Sequence, residues 1–407
     1  MNQKNKLIPL KELCINYKKD IVDGPFGSNL KRAHFTDKGI PVLKIQNIKP
    51  FEIVLKKMDY VAPQKAEELN KHSFRKGDII VTKLGLPLGI SAIVENINKG
   101  IIVADLVRVR TDPNKINTKY LCYHLNSTLT NSFLNSQQRG TTRPRIRISV
   151  IRELPILTPP LEEQRRIVKI LDEAFEGIAI AEANTKKNLA NAIELFDSYL
   201  NKVFIEKGED WVEKNLKDIA IEFGRGKSKH RPRNDKKLYG GKYPFIQTGD
   251  IRNSNHIVKK YSQTYNENGL AQSKLWSKGT VCITIAANIA ETAVLDFDAC
   301  IPDSIIGIYV DETKANNIFV EYMLQSFKLF LQAQGKGSAQ DNINMGTFKN
   351  QTFPFPDVNT QRMIASNLDE MSKEVHKLES VYQCKLEALA ELRRSILQKA
   401  FTGQLTT

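Results

Sequence analysis

The sequence predicts a mixed α/β (α+β) protein: two mixed α/β domains joined by two long antiparallel coiled-coil helices, arranged as a pseudo-two-fold tandem repeat. Two observations predict this architecture. The chain matches itself under a shift of 197 residues, which places Gln164 on Gln361, and the best-matching part of each half has the apolar spacing of a long helix. With 407 residues, the chain is long enough for two or three domains.

The repeat divides each half into a variable domain and a more faithfully repeated segment. Leu171-Asp172-Glu173 matches Leu368-Asp369-Glu370, and the match runs without gaps from Gly140 and Gly337 to Phe204 and Phe401. Upstream the similarity is weaker, although Pro41–Ile48 still resembles Pro244–Ile251. The predicted segments are domain 1 at 1–155, helix 1 at 156–206, domain 2 at 207–352 and helix 2 at 353–407.

Both repeated segments have apolar residues spaced three and four positions apart, with no Gly-Pro interruption. A helix of about 40 residues spans roughly 60 Å at 1.5 Å per residue, and helices of that length need a packing partner. Two core helices of separate globules are the alternative, and their length argues against it. The predicted helix-pair interface consists of Ile167, Leu171, Ile178, Leu189 and Phe196 in the first helix, and of Ile364, Leu368, Val375, Leu378, Leu386, Leu389 and Ile396 in the second.

The two domains contain many short strands. Runs such as Asp78–Thr82 and Val281–Ile285 are too short for helices and rich in β-branched residues. One helix is predicted to follow the strands in each half, near 119–136 and near 318–334.

The charge is positive and unevenly distributed. The net charge is +15, and residues 1–155 carry 27 Lys and Arg against 13 Asp and Glu, whereas residues 207–352 carry 20 against 16. This distribution indicates a polyanionic partner for the two domains, foremost for domain 1.

Cysteine usage and the first residues predict a reduced, cytoplasmic protein. The five cysteines are scattered without a C-x-x-C pair or a zinc-ligand spacing, and the opening residues MNQKNKL lack an apolar signal region. The most apolar stretch, Val281–Ala290, is about half the length needed to span a bilayer.

Three motifs, combined with the two-fold layout, carry a family resemblance. They are Gly24–Lys31, Leu157–Gln164 (Leu-Thr-Pro-Pro-Leu-Glu-Glu-Gln) and Glu391–Leu405 near the C-terminus. On these residues the chain resembles the specificity subunit of a type I restriction-modification system. The second half keeps only Pro356 and Gln361 of the Pro-Pro-Leu-x-Glu-Gln pattern, which leaves the start of helix 2 open.

The resemblance implies a non-catalytic DNA-binding subunit. Each domain would be a target-recognition domain that reads one half of a split, asymmetric double-stranded site, and the helices would set the spacing. The implied partners are two methyltransferase subunits, which bind S-adenosylmethionine, and ATP-driven restriction subunits; no cofactor or metal is expected on this chain itself. A pseudo-two-fold repeat would offer similar surfaces to two identical partners.

DNA recognition needs cations for phosphates and polar side chains for base edges, with Arg reading guanine and Asn or Gln reading adenine. The most basic run is Arg139–Arg147, with four arginines in nine residues, and its counterpart after Gly335 carries amides instead. In domain 1 the candidate DNA-binding residues are Ser28, Asn29, Lys31, Lys44, Gln46, Asn47, Lys83, Arg139, Thr141, Thr142, Arg143 and Arg145. In domain 2 they are Arg225, Lys227, Lys229, His230, Arg231, Gln247, Thr248, Asn288, Lys336, Ser338 and Gln340.

A Mg²⁺-dependent nuclease is the alternative function. Pro302-Asp303 followed by Glu312-Thr313-Lys314 fits a pattern of two metal-binding carboxylates and a lysine. The pattern is permissive, however, and Asp303 matches Asp105 of the first half, where no Glu-x-Lys follows. A purely structural coiled-coil protein is a third hypothesis, which leaves two divergent domains on one repeated frame unexplained.

Overall fold

The computed structural model describes residues 6–138, 144–230, 232–286, 289–328, 346, 348, 351–402 and 404–405. It divides into two compact units: unit 1 comprises Met1–Thr185 with Cys384–Thr407, and unit 2 comprises Lys186–Gln383. In the part of the chain that the structure describes, no helix is long and apolar enough to cross a membrane.

Unit 1 contains the strand-rich domain 1. Its strands are β1 (Lys6–Pro9), β2 (Ile21–Asp23), β3 (Phe35–Thr36), β4 (Ile40–Leu43), β5 (Ile48–Lys49), β6 (Glu52–Ile53), β7 (Asp59–Val61), β8 (Ser73–Arg75), β9 (Ile79–Thr82), β10 (Ser91–Ile93), β11 (Lys99–Ile102), β12 (Leu106–Val109) and β13 (Pro155–Thr158). Its short helices are α1 (Tyr17–Asp20), α2 (Pro63–Glu68), α3 (Thr118–Leu125), α4 (Thr128–Ser136) and α5 (Ile148–Arg152).

Two helices of 45 residues each, α6 (Leu161–Ile205) and α10 (Val358–Thr402), run through both units. Unit 2 also contains domain 2, with strands β14 (Val212–Asn215), β15 (Ala220–Arg225), β16 (Tyr239–Phe245), β17 (Ile257–Val258), β18 (Gln263–Tyr265), β19 (Leu275–Trp276), β20 (Val281–Thr284), β21 (Thr292–Leu295), β22 (Ala299–Cys300), β23 (Ile305–Val310) and β24 (Thr352–Phe355). Its short helices are α7 (Thr248–Arg252), α8 (Glu267–Ala271) and α9 (Asn317–Ser326).

The two domains share their sheet topology. One sheet has the order β10-β9-β12-β2 in domain 1 and β21-β20-β23-β15 in domain 2, where β17 is added beside β21. A second sheet has the order β7-β4-β11-β8 in domain 1, with β3 beside β7, and β18-β16-β22-β19 in domain 2. The tandem repeat predicted from the sequence is therefore a repeat of the fold.

A two-stranded sheet closes each domain. β1 pairs with β13, and β14 pairs with β24, both antiparallel. The predicted segment boundaries after residues 155 and 352 thus fall inside strands β13 and β24, because each domain continues until this last strand is paired.

Within each unit the long helices contribute to the domain core. In unit 1, Ile167 and Leu171 of α6 and Leu397 and Phe401 of α10 are buried in one cluster. Unit 2 buries Phe196 and Leu200 of α6 with Leu368 and Val375 of α10. The helices are therefore stabilised by the domains as well as by each other.

The helix segments of unit 1 run antiparallel. The guanidinium of Arg393 lies 5.3 Å from the ring centroid of Phe175 and 3.9 Å from a carboxylate oxygen of Glu182. Further along α10, Phe401 lies in the same cluster as Ile167, near the start of α6. As α6 proceeds from Ile167 to Glu182, α10 therefore returns from Phe401 to Arg393.

Most residues of the predicted helix interface are buried or partly buried. The prediction is wrong for Leu378, which is 42% exposed. A step of three residues is shorter than one helical turn of 3.6 residues, so it places Leu378 to one side of the buried stripe that contains Val375. Half-buried Glu379, four residues after Val375, continues that stripe. Buried positions are Ile167, Leu171, Ile178, Phe196, Leu368 and Val375; half-buried positions are Leu189, Ile364, Leu386, Leu389 and Ile396.

The start of the second long helix, left open by the sequence, is defined by an aspartate. The Asp357 carboxylate accepts hydrogen bonds from the backbone amides of Asn359 and Thr360 at 2.9 and 3.2 Å. Hydrogen bonds from Thr360 lower the pKa of Asp357, which keeps it anionic at the helix N-terminus. Asp357 matches Pro160 in the repeat, so the two helices begin at equivalent positions with different residues.

A fully buried glutamine braces the start of each long helix against its domain. In unit 1, Gln164 donates from Nε2 to the Pro159 carbonyl (2.8 Å), and its Oε1 accepts from the Asn117 backbone amide (2.7 Å). The equivalent contacts in unit 2, at 2.8 and 2.9 Å, belong to Gln361, Pro356 and Asn316. The same side chain thus joins the helix, the strand before it and the domain helix in both halves.

About two turns after each glutamine, a tyrosine-aspartate hydrogen bond joins the long helix to its domain. The Tyr123 hydroxyl donates to Asp172 in unit 1, and the Tyr322 hydroxyl donates to Asp369 at 2.8 Å in unit 2. Burial, the largest cause, and the neighbouring carboxylate raise the pKa of both tyrosines. Each phenol therefore remains protonated and able to donate.

We expect Gln164→Ala and Gln361→Ala each to lower the free energy of unfolding by about 1–3 kcal/mol, because each leaves a buried amide and a buried carbonyl unsatisfied. Urea denaturation followed by circular dichroism measures this loss. Gln398→Ala, at an exposed glutamine of α10, is the matched control. Losses no larger than that of the control would contradict the brace.

Candidate nucleic-acid interface

A glycine at the same place in each domain starts the segment that carries the first candidate residues. A Cβ atom on Gly24 would lie 2.1 Å from the carbonyl of Val103, and one on Gly226 would lie 2.2 Å from the carbonyl oxygen of Ile301. No side chain fits that approach, so both segments leave their strand over an equivalent turn. Gly24 and Gly226 are therefore required by the close backbone approach at the start of each segment.

In domain 1 the segment after Pro25 is largely exposed. Asn29 and Lys31 are accessible, and Ser28 lies in the short 3-10 turn Gly27–Asn29. Phe26, which is 54% exposed, lies with its ring centroid 4.7 Å from the Lys83 ammonium. The segment offers a polar surface with one aromatic ring.

Lys83 does not lie free on that surface. Its side chain is buried, and its Nζ lies 3.0 Å from the carboxylate of Asp23. The structure therefore contradicts its predicted role as an exposed DNA contact, because the ammonium is used inside the domain.

The turn after β4 separates three candidate residues by burial. Asn47 is buried: it accepts from the Lys44 backbone amide (3.0 Å) and donates to the Val54 and Lys56 carbonyls, so it stabilises the turn instead of reading bases. Gln46 is exposed. Lys44 is partly exposed and forms an ion pair with Asp59.

The end of the basic run Arg139–Arg147 is anchored to Lys83, the residue that follows strand β9. The Ile146 amide donates to the Lys83 carbonyl at 3.0 Å, and exposed Arg145 donates to Asp105 at 2.7 Å. Asp105 therefore orients Arg145 at the domain surface. The other candidates of this loop, Arg139, Thr141, Thr142 and Arg143, lie outside the described residues.

In domain 2 the basic run, Arg225–His230, is largely exposed. Lys227 and Lys229 are accessible, and the His230 ring contacts the Asp235 carboxylate at 2.9 Å. Hydrogen bonds from the Lys237 backbone, the largest cause, and from His230 lower the pKa of Asp235, which stays anionic. The Arg225 guanidinium donates to the Asp303 carbonyl. Arg231, Asn288, Lys336, Ser338 and Gln340 lie outside the described residues.

A concave surface with a volume of about 480 Å³ brings separate parts of domain 2 together. Gln247 and Thr248 line it beside Ser228 of the basic run, and Arg233 and Gln263 also line it. The predicted candidates Gln247 and Thr248 thus share one surface with Ser228, about 20 positions earlier in the sequence.

Arg233 and Gln263 were missed by sequence reasoning. Arg233 donates to the Asp303 carboxylate at 2.7 and 2.8 Å, and the extension of the basic run to His-Arg-Pro-Arg could have signalled it. Gln263 accepts from Gln247 at 2.7 Å, and no local pattern marks it because the contact joins strand β18 to the turn after β16.

The nuclease alternative fails on geometry. Asp303 precedes strand β23 and Glu312 follows it, and a six-residue strand separates its ends by roughly 20 Å. Lys314 instead pairs with Asp311 at 3.6 Å. Among the described residues there is no group of three or more potential metal-binding His, Cys, Asp or Glu side chains.

The register also corrects the alignment used against that nuclease. Thr82 and Thr284 are the last residues of the equivalent strands β9 and β20. Leu106 pairs with Thr82 in domain 1, and Ile305 pairs with Thr284 in domain 2. Asp105 therefore matches Ser304, one residue after Asp303.

Comparison with known proteins identifies the family. Residues 4–191 and 208–383 match the model of the type I restriction modification DNA specificity domain. The chain belongs to this family. The two matches fall on the two halves of the repeat, and the predicted DNA-specificity subunit of a type I restriction-modification system is confirmed.

Related specificity subunits are distant in sequence. The putative type I restriction enzyme MjaX specificity subunit of Methanocaldococcus jannaschii is 25% identical over 386 residues, which cover 90% of this chain and 87% of that protein. The MjaVIII specificity subunit of the same organism is 25% identical over 332 residues, or 75% of each chain.

Two solved structures share the fold. A chain from the work "Structural basis underlying complex assembly and conformational transition of the type I R-M system" has a TM-score of 0.78 and 20% identity and covers 100% of this subunit and 99% of its own length. The HsdS subunit from Thermoanaerobacter tengcongensis has a TM-score of 0.60 and 18% identity, covering 100% and 98%. The predicted fold class is thereby confirmed.

We expect Lys83→Met to lower the free energy of unfolding by about 1–3 kcal/mol, because it leaves the Asp23 carboxylate without its partner. The double variant with Asp23→Leu should recover part of that loss. Lys49→Met, at an exposed lysine of domain 1, should have little effect. The measurement is urea denaturation of the three variants.

The salt dependence of DNA binding gives a second test of the same variant. A lysine that contacts a phosphate contributes about one unit to the slope of log affinity against log salt. Because Lys83 is neutralised by Asp23 inside the domain, we expect Lys83→Met to leave that slope unchanged. A slope reduced by one unit would contradict this assignment.

Proposed function

We propose that domain 1 and domain 2 each read one half of a split, asymmetric double-stranded DNA target, and that α6 and α10 set the distance between the halves. The observation that carries this proposal is that both domains have the same strand order and the same glutamine brace, whereas the side chains at equivalent surface positions differ. A shared frame with different polar surfaces suits two readers of different sequences.

The cationic and amide side chains support direct contact with DNA. Arg145, Lys227 and Lys229 are exposed on the two domains, as phosphate contacts require. The exposed amides of Gln46 and Gln263 can form hydrogen bonds with base edges. The basic domain 1 would contribute more of the sequence-independent attraction.

The partner subunits follow from the family resemblance. Two methyltransferase subunits, which carry S-adenosylmethionine, would dock on the helices, and ATP-driven restriction subunits would join them in the cytoplasm. Leu195 of α6 and Leu392 of α10 support this assembly: they match under the 197-residue shift and are 61% and 46% exposed. A repeated exposed leucine offers the same apolar contact to two copies of one partner.

We expect Leu195→Glu and Leu392→Glu each to reduce the methyltransferase subunits bound per chain from two to one, and the double variant to bind none. A buried glutamate would have to lose its hydration at the interface, which disfavours docking. Native mass spectrometry counts the bound subunits. Ile221→Glu, at an exposed position of β15, is the control; equal loss in all variants would contradict the docking site.

The spacing role can be tested by lengthening α6 by one turn. Four residues inserted after Ala183 extend the helix by about 6 Å at 1.5 Å per residue. That length approaches two base-pair steps of roughly 3.4 Å. Because four residues approximate one 3.6-residue turn, the apolar stripe is nearly preserved.

We therefore expect the variant complex to methylate unchanged half-site sequences separated by one or two additional base pairs. Sequencing of methylated genomic DNA from cells that express the complex measures the spacer. As a control, the same four residues are inserted after Gly208, in the exposed loop that follows α6 in the sequence. This insertion lengthens the chain but not the helix and should leave the spacer unchanged. An unchanged spacer in the active Ala183 variant would show that α6 does not set the distance.

A further inference from the structure

Strand register identifies equivalent surface positions in the two domains with one-residue accuracy. Val42 of β4 pairs with Ile101 and Asp59. Phe245 of β16 pairs in the same way with Cys300 and Gln263. Val42 therefore matches Phe245, and Asp59 matches Gln263.

The turn after each of these strands provides a second match. The Lys44 backbone amide donates to the side chain of Asn47 at 3.0 Å, and the Gln247 backbone amide donates to the side chain of Asp250 at 2.8 Å. Both turns begin two residues after the matched strand position. Lys44 therefore occupies the place of Gln247.

At these two matched positions each domain carries one pair of interacting side chains. Lys44 forms an ion pair with Asp59, and both side chains are about one-third exposed, at 34 and 35%. Gln247 donates from Nε2 to Gln263 Oε1 at 2.7 Å. One place on the repeated frame thus carries an ion pair in domain 1 and an amide pair in domain 2.

The surroundings of the amide pair are those of a recognition surface. Gln247 and Gln263 line the concave surface of about 480 Å³ together with Arg233 and Tyr239. In domain 1 the Lys44 ammonium lies 4.5 Å from the ring centroid of Phe35, which follows the Gly24–Lys31 segment. The domain 1 pair therefore contacts a residue close in sequence to Gly24–Lys31, and the domain 2 pair lies beside Arg233.

The two pairs offer different hydrogen-bonding patterns. Once Gln247 Nε2 is bound to Gln263, the pair still offers the Gln263 Nε2 donor and the Gln247 Oε1 acceptor. The Gln247 side chain also accepts from the Asp250 backbone in a capping box, and an amide oxygen has a second lone pair for a base. In the major groove, adenine presents the complementary N6 donor and N7 acceptor. Lys44 offers donors and Asp59 offers acceptors, which complement guanine O6 and N7 and the N4 donor of cytosine.

We infer that the side-chain pair at this matched position reads one base pair in each half-site. Gln247 with Gln263 reads an A·T pair, and Lys44 with Asp59 reads a G·C pair. The inference rests on the proposed division of the target into two half-sites. It assigns specificity to two matched positions of the frame, and it includes Asp59 and Gln263, which no sequence motif marks.

Exchanging the pairs should exchange the base pairs that they read. The double variant Lys44→Gln with Asp59→Gln should change one position of one half-site from G·C to A·T, with a preference of at least about tenfold. Gln247→Lys with Gln263→Asp should make the opposite change at one position of the other half-site. Each variant should leave the second half-site and the spacer unchanged.

The control removes the same two charges elsewhere on domain 1. Lys49 and Glu52 are exposed and directly opposite each other in the β5-β6 hairpin. Lys49→Gln with Glu52→Gln should leave every base preference unchanged. Circular dichroism of all variants establishes that they fold, and the two reciprocal exchanges test the inference independently.

The readout is the methylated target of the complex in genomic DNA, together with binding to oligonucleotides that carry each single base-pair change. A wild-type target without two half-sites would refute the proposed function itself. A two-part target whose bases do not change in the folded variants, or that changes at several positions, overturns the assignment of the pair. A folded variant that binds neither the original nor the exchanged sequence also overturns it.

Discussion

The structure depends on a buried glutamine that joins each long helix to its domain. Gln164 and Gln361 each satisfy one backbone carbonyl and one backbone amide at once, and both side chains are fully buried. Only an amide side chain can donate and accept in that arrangement; a glutamate could not donate, and an alanine would leave both groups unsatisfied. The orientation of each domain on its helix is thereby fixed by the same bonds in both halves.

A frame held in this way by backbone and buried contacts leaves surface side chains free to differ. The strand pairs β9-β12 and β20-β23 keep the same register although few of their residues are identical. Backbone hydrogen bonds define the register, and they do not depend on the outward-facing side chain. This is how one fold can carry a strongly basic domain 1 and a nearly balanced domain 2, and different polar pairs at one position.

The sequence predicted the parts of the fold that repeat or have a helical period, since both signals extend over many residues. It could not predict burial that is decided by distant partners. Lys83 and Asn47 have the composition of contact residues, but Asp23, 60 positions away in the chain, neutralises the first, and two backbone carbonyls engage the second. Gln263 was missed for the same reason, because only the sheet brings it to Gln247. Aligning Asp105 with Asp303 was wrong by one residue, an error that sequence identity cannot reveal and strand pairing can.

Several cations of the candidate interface form ion pairs with carboxylates. Lys44 contacts Asp59, Arg145 contacts Asp105, and Arg233 contacts Asp303. Such pairs reduce the net attraction for phosphates that a count of lysines and arginines would give, and with it the binding to arbitrary DNA. They also orient the remaining N–H donors, so that less conformational entropy is lost when a base edge is contacted. For a subunit that must find one target among many similar sequences, lower sequence-independent affinity with preoriented donors favours discrimination, because specificity is the difference between the two affinities.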